Sequence, residues 1–562
     1  MSQTFYRQDL EARLRRIHGK SYGAYRQITG TYDFGDFAIK LDRIQRDPFA
    51  PPTMVQVEVD FGTAGFDPSD QSNKSRAIAL CDFVARKVSR VLDGSPERVS
   101  GSGNSGRIEI ARPGQEILER TSVYLADSRL CCRLYVGLPA NGRRINASAA
   151  ITLLCEVLPG VVRGCLFADP GDADALAAHA DANEDQDALR EMLAERKWVA
   201  FVANAAILPR AAGHDDRPLT DQNVTPFSSP TTLCHDVQLP RAGVVSGMGI
   251  PEGVTLIVGG GYHGKSTLLQ AIAQGVYNHI PGDGREHVVT RADAVKVRAE
   301  EGRSVSRVDL RPYIDGLPGG LEAGCFSTQN ASGSTSQAAS VAEYLSAGTT
   351  AFLIDEDSSA SNFLSRDARM VALVPDSEEP IRPFVRFVKR LSETGVSTIM
   401  AMGGSSAYFG AADLVLRLRD YGVADVTAEA RLSDSVSDNS ASVRPIDLVP
   451  RFPMGTRSPG VDLGRVKVKD RALLYGKSRL DLTALEQVRD SGQIEGIAQV
   501  IKCCAAYFGE GVPIGQLVHR VMETVEESGL GSVVSSSGRC AVPRRIDVIA
   551  ALNRARFLDW GP

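Results

Sequence analysis

Nowhere in the 562 residues do about 18 apolar side chains follow one another without interruption, the length a helix needs to cross a bilayer. The first residues are polar and charged, with no signal-peptide pattern. Both features predict a cytoplasmic protein with no membrane span. C-x-x-C spacing is missing. The ten cysteines include two adjacent pairs, Cys131-Cys132 and Cys503-Cys504, and adjacent cysteines suit neither a shared disulfide nor a shared zinc, so reduced thiols are expected. No H-x-x-x-H pair occurs among the eight histidines. A net charge of −5 gives no global attraction for nucleic acid, so any such contact needs a local patch. Against these absences stand a 43% hydrophobic content and a length that suits three or four domains.

The most informative segment is Gly259-Gly260-Gly261-Tyr262-His263-Gly264-Lys265-Ser266-Thr267, which fits G-x-x-x-x-G-K-[ST] at every fixed position. The apolar run Val254–Val258 before it reads as a buried strand, and the run from Lys265 onward has helical spacing. Glycines let backbone N–H groups turn inward around phosphates, and the helix N-terminus adds partial positive charge. Lys265 is expected to reach the β- and γ-phosphates of ATP, and Ser266 to ligate Mg²⁺. His263 reads as filling a variable position.

Ninety residues beyond Lys265, the strand-like Ala351-Phe352-Leu353-Ile354 ends in Asp355-Glu356. Asp355 is placed on the metal and Glu356 as general base for the attacking water. Between the two motifs, Ser332-Gly333-Ser334 opens a helix that stops at Gly348, with Ser334 as N-cap and Gln337 three residues on. An ordinary capped helix and a donor set for a γ-phosphate both fit this segment.

Ser332 lies 23 residues before Asp355, the spacing at which ABC ATPases carry their signature, and Ser358–Asn362 is similar to their D-loop. More specifically, the phosphate loop, Asn330–Ala338 and Ile354–Asp357 resemble the family of predicted ATPases of the ABC class. The likeness extends to Tyr32–Phe37, Arg112–Gln115, Val136–Pro139 and Ala206–Arg210. It implies an α/β P-loop core of the ABC type with a parallel sheet, flanked by an N-terminal α+β domain and a small C-terminal domain. It also implies a homodimer in which Lys265, Ser266, Asp355 and Glu356 of one subunit face Ser332, Gly333 and Ser334 of the other. Three departures from the ABC pattern point to slow turnover. Gly403-Gly404-Ser405 stands where the switch histidine belongs, no glutamine lies near Leu310–Tyr313, and Asn362 replaces the D-loop aspartate. ATP-binding without turnover, and a small-molecule kinase using Arg366 and Arg369 as a lid, are the alternatives.

Expected segments are 1–240, 241–430 and 444–562, with a Ser-, Asp- and Ala-rich linker from Ala428 to Val443. In the first, Gly101–Gly106 imitates a phosphate loop without lysine or helix and reads as a hairpin turn. In the last, eight basic residues between Arg451 and Arg479 face two acids. Arg465, Lys467, Lys469 and Arg471 form its centre, and alternation puts both lysines on one strand face. Such a face suits RNA phosphates, or an acidic surface of the protein itself. Relatives in the resembled family include a component of a mitochondrial RNA-binding assembly, which implies RNA or a ribonucleoprotein as partner. For the adenine, Phe227, His235 and aromatic residues of the N-terminal segment are candidate contacts.

Overall fold

The computed structural model describes residues 4–94, 99–221, 224–314, 316, 322–432, 449–458, 460–534 and 537–561. Two compact units emerge, one of residues 1–184 with 528–542, the other of 185–527 with 543–562. Of the expected linker, residues 428–432 end the short helix Thr427–Leu432; 433–443, and the start of the third segment at 444, lie outside the described residues.

In the first unit, strand alternation builds a mostly antiparallel sheet. Thr53–Asp60 turns Val55, Val57 and Val59 inward and pairs along its length with Arg129–Val136. Lys74–Gly94 covers the sheet, with Leu80, Val84 and Val88 in the same core, the spacing of an amphipathic helix. The basic helix Arg7–Arg16 buries Leu10 and Leu14 and leaves Arg15 and Arg16 in solvent. Ala147–Cys165 is 19 residues long and apolar enough by composition to cross a bilayer, but half of it is buried inside the protein, with Leu153, Leu154, Leu158 and Val162 in the core. Among the described residues, no strand leads into Gly101–Gly106 as a hairpin would need. Its amides are spent on carbonyls, Ser102 on Ala140 and Gly106 on Gly137 (both 2.8 Å), and the following strand pairs with Arg129–Val136. The segment 528–542 belongs here through Thr121 N–H to the Cys540 carbonyl (2.9 Å) and Gly538 N–H to the Tyr135 hydroxyl (2.9 Å).

The second unit is built on a six-stranded sheet in the order Val295–Val297, Ala351–Asp355, Ser397–Met402, Val254–Val258, Leu414–Arg419, Gly422–Asp425. Its first five strands are parallel and the last is antiparallel. Near-continuous apolar runs suit strands covered on both faces: Ala351–Asp355 and Ser397–Met402 are buried at every position. A second, antiparallel sheet runs Cys234–Leu239, Gly243–Pro251, Trp198–Ala203, Val288–Thr290. Trp198–Ala203, which precedes 240 in sequence, is thus hydrogen-bonded between strands that follow it. The helices Ser491–Cys504 and Arg545–Asn553 pack together in the same unit. The short three-stranded sheet Lys467–Lys469, Ala472–Tyr475, Ser478–Asp481 lies beside the first of them.

Candidate nucleotide site

The loop strand Val254–Val258 is flanked by Ser397–Met402 and Leu414–Arg419, so the chain leaves its carboxyl end at the position where α/β sheets bind ligands. Gly259 there has φ +148°, and a Cβ on it would stand 2.4 Å from the Leu418 carbonyl oxygen. Gly264, at φ +98°, caps the helix Lys265–Gln274. That helix is anchored by the buried Leu268, Leu269, Ala271 and Ile272, while Ser266 in its first turn is exposed. The Lys265 ammonium donates to the carbonyl oxygens of Gly259 and Gly260, both at 2.8 Å, which folds it back over the loop. Tyr262 is fully exposed at φ +64°. His263 is more than a filler: its Nδ1 accepts the Asp420 N–H at 3.0 Å and ties the loop to the turn after Arg419.

One strand away, Asp355 ends a fully buried strand and is itself 8% exposed. The intervening strand places Asp355 opposite Ala401 and Val258 opposite Met402. Glu356 accepts hydrogen bonds from the backbone N–H groups of Gly403 and Gly404, the latter at 3.0 Å. A Cβ on Gly403 would sit 3.6 Å from Lys265 Nζ and 3.7 Å from Glu356 Oε2, so this glycine lies between the ammonium and the carboxylate. Lys265, Gly403 and Glu356 therefore converge at the carboxyl end of the sheet. Among the described residues no group of three or more His, Cys, Asp or Glu could cage a metal. Mg²⁺ takes only one or two protein ligands and completes its shell with phosphates and water. Asp355 and Ser266 are the residues here with the right oxygen chemistry.

The helix Gly333–Ser346 starts two residues earlier than its sequence suggests. Ser332, not Ser334, is the N-cap, accepting Thr335 N–H at 3.4 Å, because the strand Phe326–Ala331 runs directly into it. Ser334 is turned inward, 8% exposed, while Ser332 is exposed. Gly333 N–H donates to the Glu301 carboxylate at 2.9 Å, a negative charge at a helix N-terminus. Gln337 is fully buried and does not close a capping box. Its amide donates to Ser359 Oγ (2.9 Å) and accepts Ala360 N–H (2.9 Å), and Ser359 Oγ donates to the Asp355 carbonyl (2.8 Å). The helix Gly333–Ser346 is thereby linked to the acidic strand within one chain.

The basic segment divides. Lys467 and Lys469 are exposed on an edge strand with Val468 half-buried between them, and Arg465 is exposed beside Asp462 (3.4 Å). Arg471 is not part of that surface: it donates to the Leu485 carbonyl at 2.9 Å, and burial, the larger cause, with Arg489 pushes its pKa down. Arg451 is buried. It donates to the Ser306 carbonyl (2.8 Å) and Asn553 Oδ1 (2.6 Å), lies 3.5 Å from Glu343, and stacks 4.8 Å over the Trp560 ring. Arg366, a lid candidate for the kinase alternative, is bound to Asp376 (3.2 Å) and the Val374 carbonyl.

Family comparisons agree with this geometry along the chain. The model of the ABC ATPase P-loop domain matches residues 172–446, that of the N-terminal region of ATPases of the ABC class matches 7–169, and that of the MRB1590 C-terminal domain matches 465–560. The chain belongs to the family of ATPases of the ABC class. An uncharacterized protein of Methanocaldococcus jannaschii, MJ1628, is 32% identical over 188 residues, 32% of this chain and 42% of that protein, so the match spans about two fifths of the relative's length. A solved structure, cbiO1 from Clostridium perfringens, described as part of the ABC transporter complex cbiONQ, aligns at 15% identity and a TM-score of 0.26, covering 42% of this chain and 92% of that one. So low a score adds nothing to the family assignment.

Proposed function

We propose that the protein binds ATP with Mg²⁺ and hydrolyses it slowly as a dimeric, nucleotide-gated clamp in the cytoplasm, gripping RNA or a ribonucleoprotein. The observation that carries this reading is the convergence of Lys265 and Glu356 on Gly403 at the end of the loop strand. Lys265 and the loop amides from Gly259 to Thr267 bind the phosphates. Mg²⁺, when bound, neutralises charge on the phosphate oxygens, with Ser266 and Asp355 as its protein ligands. Glu356 takes the proton of the attacking water, and the two glycine amides hold its carboxylate in place. No imidazole stands in the segment Gly403-Gly404-Ser405 to respond to the γ-phosphate, which supports slow turnover. Ser332 and Gly333 of the partner subunit complete the site from across the dimer.

Lys467, Lys469 and Arg465 supply a positive edge in the region matching the MRB1590 C-terminal domain, and this supports RNA as the gripped partner. Phosphate release by wild-type and Glu356→Gln proteins tests the enzyme reading. Release by the wild type that the variant loses supports it. No release from either, with ATP still bound, leaves a nucleotide-gated interaction protein.

A further inference from the structure

We propose that an apolar pocket beside the phosphate loop receives the nucleobase of the bound triphosphate, with Tyr421 as the surface on which the base stacks. The inference rests on the reading of the loop as a triphosphate site and adds where the other end of the nucleotide goes. A cavity of about 150 Å³ opens where Gly264, Thr267 and Leu268 of the loop and its helix meet Phe227, Leu418 and Tyr421. Small-molecule pockets span roughly 300–1,000 Å³, so this one takes a single ring system and leaves the phosphates outside, over the loop. Its lining is mostly apolar, which suits the face of a base and not a phosphate.

Tyr421 is an unusual residue for its place. It forms with Asp420 the two-residue turn between the antiparallel strands Leu414–Arg419 and Gly422–Asp425. Both turn residues have positive φ, 48° and 66°, the dihedrals that such hairpins normally give to Asn and Gly. A bulky aromatic there is an outlier, and the residue is 56% exposed, so packing does not account for it. Conformations of this kind cluster at ligand clamps. The turn is fixed to the loop through His263, whose Nδ1 accepts Asp420 N–H at 3.0 Å. A Cβ on Gly264 would stand 3.0 Å from Tyr421 Cδ1, so the glycine also makes room for the ring.

The opposite wall is fixed as well. Arg285 Nε donates to the Leu208 carbonyl (2.9 Å), Ile207 N–H to that of Gly284 (2.8 Å), and Phe227 N–H to that of Ala206 (2.9 Å). The pocket is thus formed before any ligand arrives. Of the aromatic residues that sequence suggests for this role, Phe227 lines the cavity, whereas the His235 ring is spent against Trp198, with centroids 4.9 Å apart.

Calorimetry on the full chain with Mg²⁺ separates the two ends of the ligand, using ATP and inorganic tripolyphosphate as probes. Wild type is expected to bind ATP more tightly than tripolyphosphate. Tyr421→Asn, which keeps a residue tolerant of positive φ, is expected to weaken ATP roughly 5- to 150-fold, the worth of one stacked base, and to leave tripolyphosphate unchanged. Tyr421→Phe should bind ATP like wild type. If Tyr421→Asn binds ATP normally, or loses both probes equally, the base site is wrong. If wild type binds tripolyphosphate but ATP no better, the base site fails and the loop reading stands; if wild type binds neither, both fall.

Discussion

The carboxylate of Glu356 is held by the backbone N–H of Gly403, 47 residues farther along the chain. In the ABC pattern a histidine belongs in the segment Gly403-Gly404-Ser405, whereas here two main-chain amides hold Glu356, the proposed general base. Glu356→Gln is predicted to lower phosphate release by about 10²- to 10⁴-fold while ATP affinity stays in place. A Cβ on Gly404 would press on Glu356 Oε1 at 3.2 Å, whereas one on Gly403 meets only ordinary contacts. Gly404→Ala should therefore slow single-turnover release on the order of tenfold in a normally folded protein. Equal rates for Gly404→Ala and wild type would show that the amides do not position the base.

Arg451 counts in sequence as part of a basic surface and in the structure as a buried strut. It and Arg303 both pair with Glu343 on the helix Gly333–Ser346. Removing Arg451 leaves Glu343 paired with Arg303 but strips the donor from two buried acceptors, the Ser306 carbonyl and Asn553 Oδ1, a loss of about 1–3 kcal/mol for each. Urea denaturation of Arg451→Met should show a loss of that order. A loss under about 1 kcal/mol, the range of exposed pairs, would contradict the burial.

For RNA, the exposed lysines define the expectation. Changing Lys467 and Lys469 together to Glu should reduce the slope of log K against log salt by about 1.4, two single-strand phosphate contacts. Single-stranded RNA binding titrated between about 50 and 200 mM salt reads this directly. An unchanged slope would move the interaction to another surface, and no RNA binding at low salt would favour a protein partner.

Acid should loosen the second unit at Glu300. Burial, the larger single influence, raises this carboxyl, but Arg554 and Arg303 outweigh it and hold its pKa below the ordinary value, with Arg554 Nε 3.0 Å away. A depressed carboxylate adds stability that is complete above its unfolded-state pKa and lost as pH falls through the lowered folded-state value. Thermal unfolding from neutral to acid pH should therefore show wild type losing stability on the acid side more steeply than Glu300→Gln. Parallel curves would contradict the pairing.

What was legible in the sequence was what short-range spacing encodes. Gly259–Thr267 and Asp355-Glu356 each sit within a few residues of the strand that presents them, and runs such as Val254–Val258 announce buried parallel strands. Contacts between distant segments were not legible. The hold of Gly403 on Glu356, the docking of His263 on Asp420, and the inward turn of Arg451 toward Glu343 depend on which strands become neighbours. The N-cap shifted to Ser332 because the preceding strand ends at Ala331, a boundary that Ser334 and Gln337 alone do not reveal. Tyr421 carried one usable signal, an aromatic beside Asp420 and Gly422 in a turn, but nothing nearby in sequence placed that turn against the phosphate loop.

The claim on which the rest depends is that the glycine-rich loop grips a triphosphate. Calorimetry of the full chain with ATP and Mg²⁺ tests it most directly. The prediction is saturable heat with one site per chain, and an affinity about 10- to 150-fold weaker in Lys265→Ala, the worth of hydrogen bonds from a charged group. No heat from wild type, or equal affinity in the variant, would contradict it.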